Sequence, residues 1–309
     1  MRRISMAPGT HPWVMSPFLE PIATVSLGED FIVETLDGPG GNLYKDSDIV
    51  TWSKENKWGN PETGPIYVDG VNAGDTLVVN IKEIRPLWDY ALTYTVPGCG
   101  GLVPEKFRYI TKMDEDISGQ LKVLKIEDGT VYFSDKISFP YKPFFGCIGT
   151  APEIEAIATL APGSHGGNMD CSDVKPGAKV YLPVRHDGAM LFFGDVMATQ
   201  GDGEVCGTAG EHPGEGIISC DVIKGQAIEW PRVENSDWIM TIGSARPMED
   251  AVRIAYAELV RWMVDSYGFT RSDAYMLLSH VGKLRIGNIV NTLYSVVAKI
   301  EKKYLEMNR

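Results

Sequence analysis

The chain runs to 309 residues with 44% hydrophobic content, enough to bury a sizeable core in one large domain or two modest ones. Its 41 acidic against 29 basic residues leave a formal charge of -12, so a nucleic-acid backbone or an anionic membrane surface is repelled, and neither is an expected partner. A leader peptide is not expected either, because Pro8, Gly9, Pro12 and Pro17 break up Met1 to Glu20. No window approaches the roughly 18 consecutive apolar residues of a membrane span, so the cytoplasm is the expected location. The five cysteines, Cys99, Cys147, Cys171, Cys206 and Cys220, are odd in number and form no C-x-x-C pair. That pattern favours free thiols in a reducing compartment over disulfides or a thiolate zinc site.

Most of the 33 glycines and 19 prolines fall before Pro247 and punctuate short β-branched and aromatic runs, which predicts many short strands. Val71 to Thr76 is a glycine turn feeding the alternating run Leu77 to Ile81, and Val174 to Lys179 feeds Val180 to Val184 in the same way. Two copies are one local device used twice rather than an internal repeat. Asp128-Gly129, between Leu124-Lys125-Ile126 and Val131-Tyr132-Phe133, marks a tight hairpin. After Pro247 the period changes: Val252, Ala255, Leu259 and Met263 fall three and four apart, predicting a helix over Met248 to Tyr267 that Gly268 closes. Thr270, with Asp273 three residues on, opens a second helix through about His280. Leu284, Ile286 and Asn288 alternate as in a strand, and Lys299 to Met307 is expected to fray or to form a terminal helix. The expected fold is α+β and mainly β: a β-rich body over residues 1–240 carrying the site, with a C-terminal helical α/β element over 241–309 packed on it as one compact unit.

Candidate chemistry concentrates between Phe145 and Glu211, in three glycine-rich loops: Gly146 to Glu153, Ala161 to Asp170 and Gly194 to Thr208. Glycine density lets backbone approach a ligand closely. His165-Gly166-Gly167-Asn168-Met169-Asp170 brings an imidazole, an amide and a carboxylate within a few residues, and Asp195, Asp202 and Glu204 add three carboxylates. Divalent cations of hard or borderline character take such oxygen and imidazole ligands. Each residue alone has a blander account, since loop histidines are commonly hydrogen-bonded and loop aspartates commonly form turns.

Taken together, APGSHGGNMD (Ala161 to Asp170), YLPV (Tyr181 to Val184), QGDGEVCGTA (Gln200 to Ala209), GPIYVDG (Gly64 to Gly70), AGDTLVV (Ala73 to Val79) and GCGGL (Gly98 to Leu102) resemble the acetamidase/formamidase family of amide hydrolases, in consistent order from about Gly28 to about Asn291. The resemblance implies a β-sandwich-like, mainly β fold and hydrolysis of formamide or acetamide to ammonia and the acid. It also implies zinc or calcium in some members and assembly as a homo-oligomer, for which a dimer is the expected state. One position departs: Met197 stands in Gly194 to Gln200 where the family commonly has histidine. A thioether is a soft, weak ligand and no base.

Amide hydrolysis needs an activated water, a stabilised oxyanion and a protonated leaving nitrogen. The expected assignment gives a divalent metal to His165 and Asp195, with Asp37 or Asp202 completing the set. Proton transfer falls to Glu204, with Asp202 in the catalytic group. Asn168 or glycine N–H groups serve as oxyanion donors, and Gly166, Gly167 and Asp170 as the substrate-binding surface. Two rivals are a cysteine nucleophile, Cys147 or Cys206, and a degenerate protein that binds metal or ligand without turnover. His11, His186, His212 and His280 read as packing, turn or helix-end residues. Acyl size is set by walls distant in sequence, for which Gly98 to Leu102 is one candidate.

Overall fold

The computed structural model describes residues 1–7, 9–43, 59–96, 99–102 and 119–306. Gly98, part of one expected pocket wall, and Met307 lie outside the described residues. Strands are numbered in chain order. Along the largest sheet, of nine strands, lie β1 (Arg2–Ile4), β4 (Phe31–Thr35), β16 (Gly214–Ile223), β6 (Thr76–Pro86), β14 (Lys179–Pro183), β17 (Arg232–Glu234), β18 (Trp238–Ala245), β20 (Tyr294–Glu301) and β19 (Lys283–Asn288). A second sheet orders β13 (Gly166–Asn168), β11 (Phe144–Thr150), β15 (Leu191–Met197), β5 (Thr63–Asp69) and β3 (Ala23–Ser26). A four-stranded antiparallel sheet follows the order β10 (Ile137–Pro140), β9 (Thr130–Ser134), β8 (Gln120–Glu127) and β7 (Tyr90–Thr95). A small pair joins β12 (Ile157–Ala158) to β2 (Val14–Met15).

The nine- and five-stranded sheets share one core. Phe31, Val33, Leu77, Val79, Ile81 and Val180 come from the first, and Ile66, Ile148, Leu191, Phe193 and Val196 from the second, all in one buried cluster. Side chains two apart share a face of a strand, which is why the alternating runs after the two glycine turns bury so cleanly. Those two look-alike segments are also neighbours: β6 and β14 pair antiparallel with Val180 opposite Val79 and Leu182 opposite Leu77.

Helix α1 (Met248–Tyr267) covers β18 and β20, and α2 (Arg271–Val281) packs beside it. Its stripe Ala255, Leu259, Trp262 and Met263 is buried against Ile239, Ala298 and Ile300; each large apolar side chain so covered contributes about 1.5–3 kcal/mol. Gly268 closes α1 in the left-handed region at φ 74°, and the Thr270 side chain accepts a hydrogen bond from the Asp273 N–H to start α2. The Asp128-Gly129 turn joins β8 to β9 with both residues at positive φ, 48° and 73°. Lys299 to Glu301 continue β20 rather than fraying, because β18 pairs with them throughout, and a single 3-10 turn (Lys302–Tyr304) follows. The expected boundary between residues 240 and 241 falls inside β18, so the largest sheet runs across it without interruption.

Candidate active site

Six carboxylates, Asp37, Glu62, Asp170, Asp195, Glu204 and Glu211, are each no more than 7% exposed. Among the described residues none of them has a lysine or arginine partner, whereas the buried acids elsewhere do: Asp173 meets Lys299 at 3.3 Å, Glu215 meets Arg3 at 2.6 Å and Glu258 meets Arg232 at 2.7 Å. Burying an uncompensated carboxylate disfavours its charged form. Asp37 is pushed up to about 6 by burial, against the pull of the Gly41 and Gly40 N–H groups. Asp195 is pushed up to about 7 by burial and by the charge of Asp37, against hydrogen bonds from Glu211 and Asn60. Burial, reinforced by neighbouring acids, carries Asp170, Glu204 and Glu211 well above the usual carboxylate range. The acids pair: Glu211 shares a hydrogen bond with Asp195, and Glu204 shares one with Asp170.

The backbone that delivers these groups is strained. Asp170, Asp195 and Glu204 all adopt positive φ, 49°, 57° and 48°, at a cost of about 1 kcal/mol or more each for a non-glycine residue. Asp195 does so in the middle of β15, opposite a gap in the pairing with β11. The residue in that gap is Gly146, where a Cβ would stand 2.5 Å from Asp195 Oδ2 and 3.0 Å from Asp170 Oδ1. A Cβ on Gly194 would likewise stand 2.5 Å from Glu62 Oε1. These two glycines make room for carboxylates. Three asparagine amides knit the cluster: Asn168 donates to Asp195 Oδ2 at 2.9 Å and Asp170 Oδ1 at 3.2 Å, and accepts from Asn291 at 2.8 Å. Asn288 and Asn291 donate to Asp170 Oδ2 at 2.9 and 3.1 Å.

Asn60, Asn168, Asp195, Glu204, Glu211 and Asn291 open onto a cavity of about 290 Å³ whose other walls include Tyr94, Leu160 and Met197. A larger, more apolar hollow of about 590 Å³ lies beyond Glu204, lined by Leu124, Phe133, Phe139 and Val205. Cys99 borders the smaller cavity, so the GCGGL segment contributes one wall residue there.

The residues expected from the sequence divide accordingly. Asp195, Glu204 and Asn168 line the cavity; Asp170 and Asp37 stand behind it, Asp170 through its bond to Glu204 and Asp37 through its field on Asp195. Asp202 lies outside, half-exposed and ion-paired with Arg285. Gly166 and Gly167 pack against β11, facing Gly149 and Ile148, and do not border the cavity. His165 is buried with its Nε2 without a hydrogen-bond partner, close over Gly167, and its Nδ1 close over Gly163. Burial alone lowers it to about 4, with no carboxylate acting on it.

The expected ligand trio of His165, Asp195 and Asp37 therefore does not form one site. Oxygen donors of the kind a hard cation takes are plentiful, but among the described residues no three His, Cys, Asp or Glu side chains stand in a ligating arrangement. Cys147 is fully buried, its thiol raised well above the usual range by burial and by Glu62, the opposite of an activated nucleophile. Cys206 lies on the larger hollow instead. Two of the other histidines are tied to the backbone: His212 is wholly buried between Pro213 O (2.8 Å) and Tyr141 Oη (3.3 Å), and His186 holds the Glu153 carbonyl at 2.8 Å.

Glu62, Asn60 and Glu211 were not expected. Each carries the signal that marked the other loops, an acid or amide beside glycine or proline at the mouth of a strand: Gly59-Asn60-Pro61-Glu62 before β5 and Gly210-Glu211-His212-Pro213 before β16.

A family model described as the acetamidase/formamidase family matches residues 11–159 and 153–300. The crystal structure of an acetamidase from Yersinia enterocolitica superposes with a TM-score of 0.90 at 40% identity, covering 96% of this chain and 90% of that one. An acetamidase of Mycolicibacterium smegmatis is 26% identical over 89% of this chain and 86% of its own length. A formamidase of Methylophilus methylotrophus is 26% identical over 62% of this chain. The chain spans 63% and 59% of the lengths of two of the curated relatives it matches. Among the described residues no helix is long and apolar enough to cross a membrane. With both the sequence pattern and the fold in agreement over nearly its whole length, the chain belongs to the acetamidase/formamidase family.

Proposed function

We propose that the chain hydrolyses small aliphatic amides to the carboxylic acid and ammonia in the 290 Å³ cavity. The observation that carries this reading is the set of buried acids lining that cavity, Asp195, Glu204 and Glu211, none of which has a lysine or arginine partner among the described residues. Carboxyl groups that share a site and are pushed apart in proton affinity divide into base and acid. Asp195, raised only to about 7 and receiving hydrogen bonds from Glu211 and Asn60, is the member that ionises near neutrality. Glu204 and Glu211, pushed well above the usual carboxylate range by burial and by the neighbouring acids, are the members that favour the protonated form.

Asp195 takes a proton from water as its oxygen attacks the amide carbon. Once Asp195 has taken the proton it no longer competes for the single O–H of the neutral Glu211, which turns from Asp195 to the developing oxyanion, a role open to a carboxylic acid only when its proton affinity is raised. Glu204 protonates the nitrogen as the C–N bond breaks and ammonia leaves. The cycle is reset when Asp195 gives up its proton to water in the cavity and Glu204 regains one from it. Asn168 is an orienter of the base, since both its N–H groups are spent on Asp195 and Asp170.

No step is routed through zinc or calcium, because the expected ligands do not converge. Ammonia release from formamide, acetamide and propionamide, measured on untreated and chelator-treated protein, tests the reading. Turnover that survives chelation is the expected result; turnover abolished by the chelator and restored by zinc or calcium would return a metal to the site, and no ammonia from any amide would end the assignment.

A further inference from the structure

The cavity is lined by two kinds of side chain: Asn60, Asp195, Glu204, Glu211 and Asn291 are polar, and Val96, Leu160, Met197 and Val290 are apolar. The carboxamide head of a substrate belongs against the first set, since placing its N–H and C=O groups on aliphatic walls would leave them unpaired in a buried site. The second set then receives the acyl chain.

Its size is informative. A volume of about 290 Å³ exceeds what the few heavy atoms of formamide or acetamide occupy. An undersized ligand leaves apolar wall bare, and every methylene that covers it gains affinity. The wall is also placed at the reaction centre: Met197 is two residues beyond the base Asp195 on β15, 1% exposed, and bridged through its backbone to Glu211. A carbonyl carbon held between Asp195 and Glu211 therefore has Met197, which also lines the cavity, as an apolar neighbour for its acyl substituent. Methionine is unbranched and apolar, suited to a chain of variable length.

We infer that the preferred substrates are linear monoamides with a longer aliphatic acyl chain, butyramide to hexanamide, and that Met197 and Leu160 are the residues that set this preference. The inference rests on the amide-hydrolase reading of the site. The test is kcat/KM across formamide, acetamide, propionamide, butyramide, valeramide and hexanamide. The expected series rises about fourfold per added methylene until the cavity is full and then falls. Met197→Phe takes up part of the cavity and is expected to move the optimum to shorter amides, with the loss largest, tenfold or more, for hexanamide. Leu160→Phe makes the same prediction from a half-buried loop position outside β15, and decides the matter should the strand variant not fold. A series that is flat or falls from formamide, or an optimum unmoved in Leu160→Phe, overturns the inference while leaving amide hydrolysis standing. No ammonia from any member overturns the reading beneath it instead.

Discussion

Two parts of this molecule bury charge, and they do so in opposite ways. Under α1, Glu258 is 1% exposed and both its oxygens are taken: Arg232 Nε and Nη2 reach Oε1 at 2.8 and 2.7 Å, and Arg261 Nη1 reaches Oε2 at 2.7 Å. Arg232 also lies 5.2 Å from the Trp262 ring centroid, so its plane is packed as well as paired. Around the cavity, six acids are buried with no such partner among the described residues, on a backbone that holds three of them at positive φ. A compensated ion cluster is a structural element; an uncompensated one opposes folding and persists only where the surrounding sheets over-determine it. The difference separates residues whose loss should unfold the protein from residues whose loss should silence it.

The sharpest test of that division is Glu204→Gln. The amide keeps shape and burial but removes the proton given to nitrogen, so kcat is expected to fall 10²- to 10⁴-fold, about 3–5 kcal/mol in the barrier, while the thermal midpoint stays or rises. A variant that unfolds while the remaining folded fraction turns over normally would break the comparison. Its counterpart is Arg232→Met, which strips both bonds from Glu258 Oε1 and leaves Arg261 alone at Oε2. A loss of about 3 kcal/mol in denaturant unfolding is expected, with kcat/KM of the folded protein unchanged. Adding Glu258→Leu should recover part of that loss, because the pair together is worth much less than either half left alone.

How far this could be foreseen depends on the range of the interactions involved. The helix limits at Gly268 and Thr270 and the Asp128-Gly129 hairpin were legible because each is decided by a residue's own φ or by a side chain three positions away. The acid cluster was legible only by halves. Glycine density marked the loops of Asp170, Asp195 and Glu204, but Asn60, Glu62 and Glu211 arrive from segments whose nearness is created by sheet pairing, which no local pattern records. Adjacency also misleads. His165 and Asp170 are five residues apart, yet the antiparallel pairing of β13 with β11 holds the imidazole over its own loop glycines while Asp170 turns inward at positive φ. Asp202 and Glu204 are two apart, and the left-handed residue at 204 sends one into the cavity while the other stays with Arg285 in solvent.

The last effect concerns pH, and it ties activity to stability at a single residue. Asp195 has its folded proton affinity raised to about 7 from an ordinary value near 3.8. Between those limits the unfolded chain has lost a proton that the folded one retains. Folding therefore binds protons, and as far as this group is concerned stability is fullest below about pH 4, declines by about 1.4 kcal/mol per pH unit up to about 7, and levels off above it. Activity runs the other way, since the base works only when ionised: kcat/KM should rise with pH and level off above about 7. Asp195→Asn separates the two. Its stability should lose this part of the pH slope, exceed that of the natural chain at pH 7.5 and match it near pH 4, while turnover is lost at every pH. Equal stability of the two proteins at pH 7.5, measured by denaturant unfolding, would mean that the Asp195 carboxylate is compensated after all, and the contrast with Glu258 would then reduce to one of partners rather than of cost.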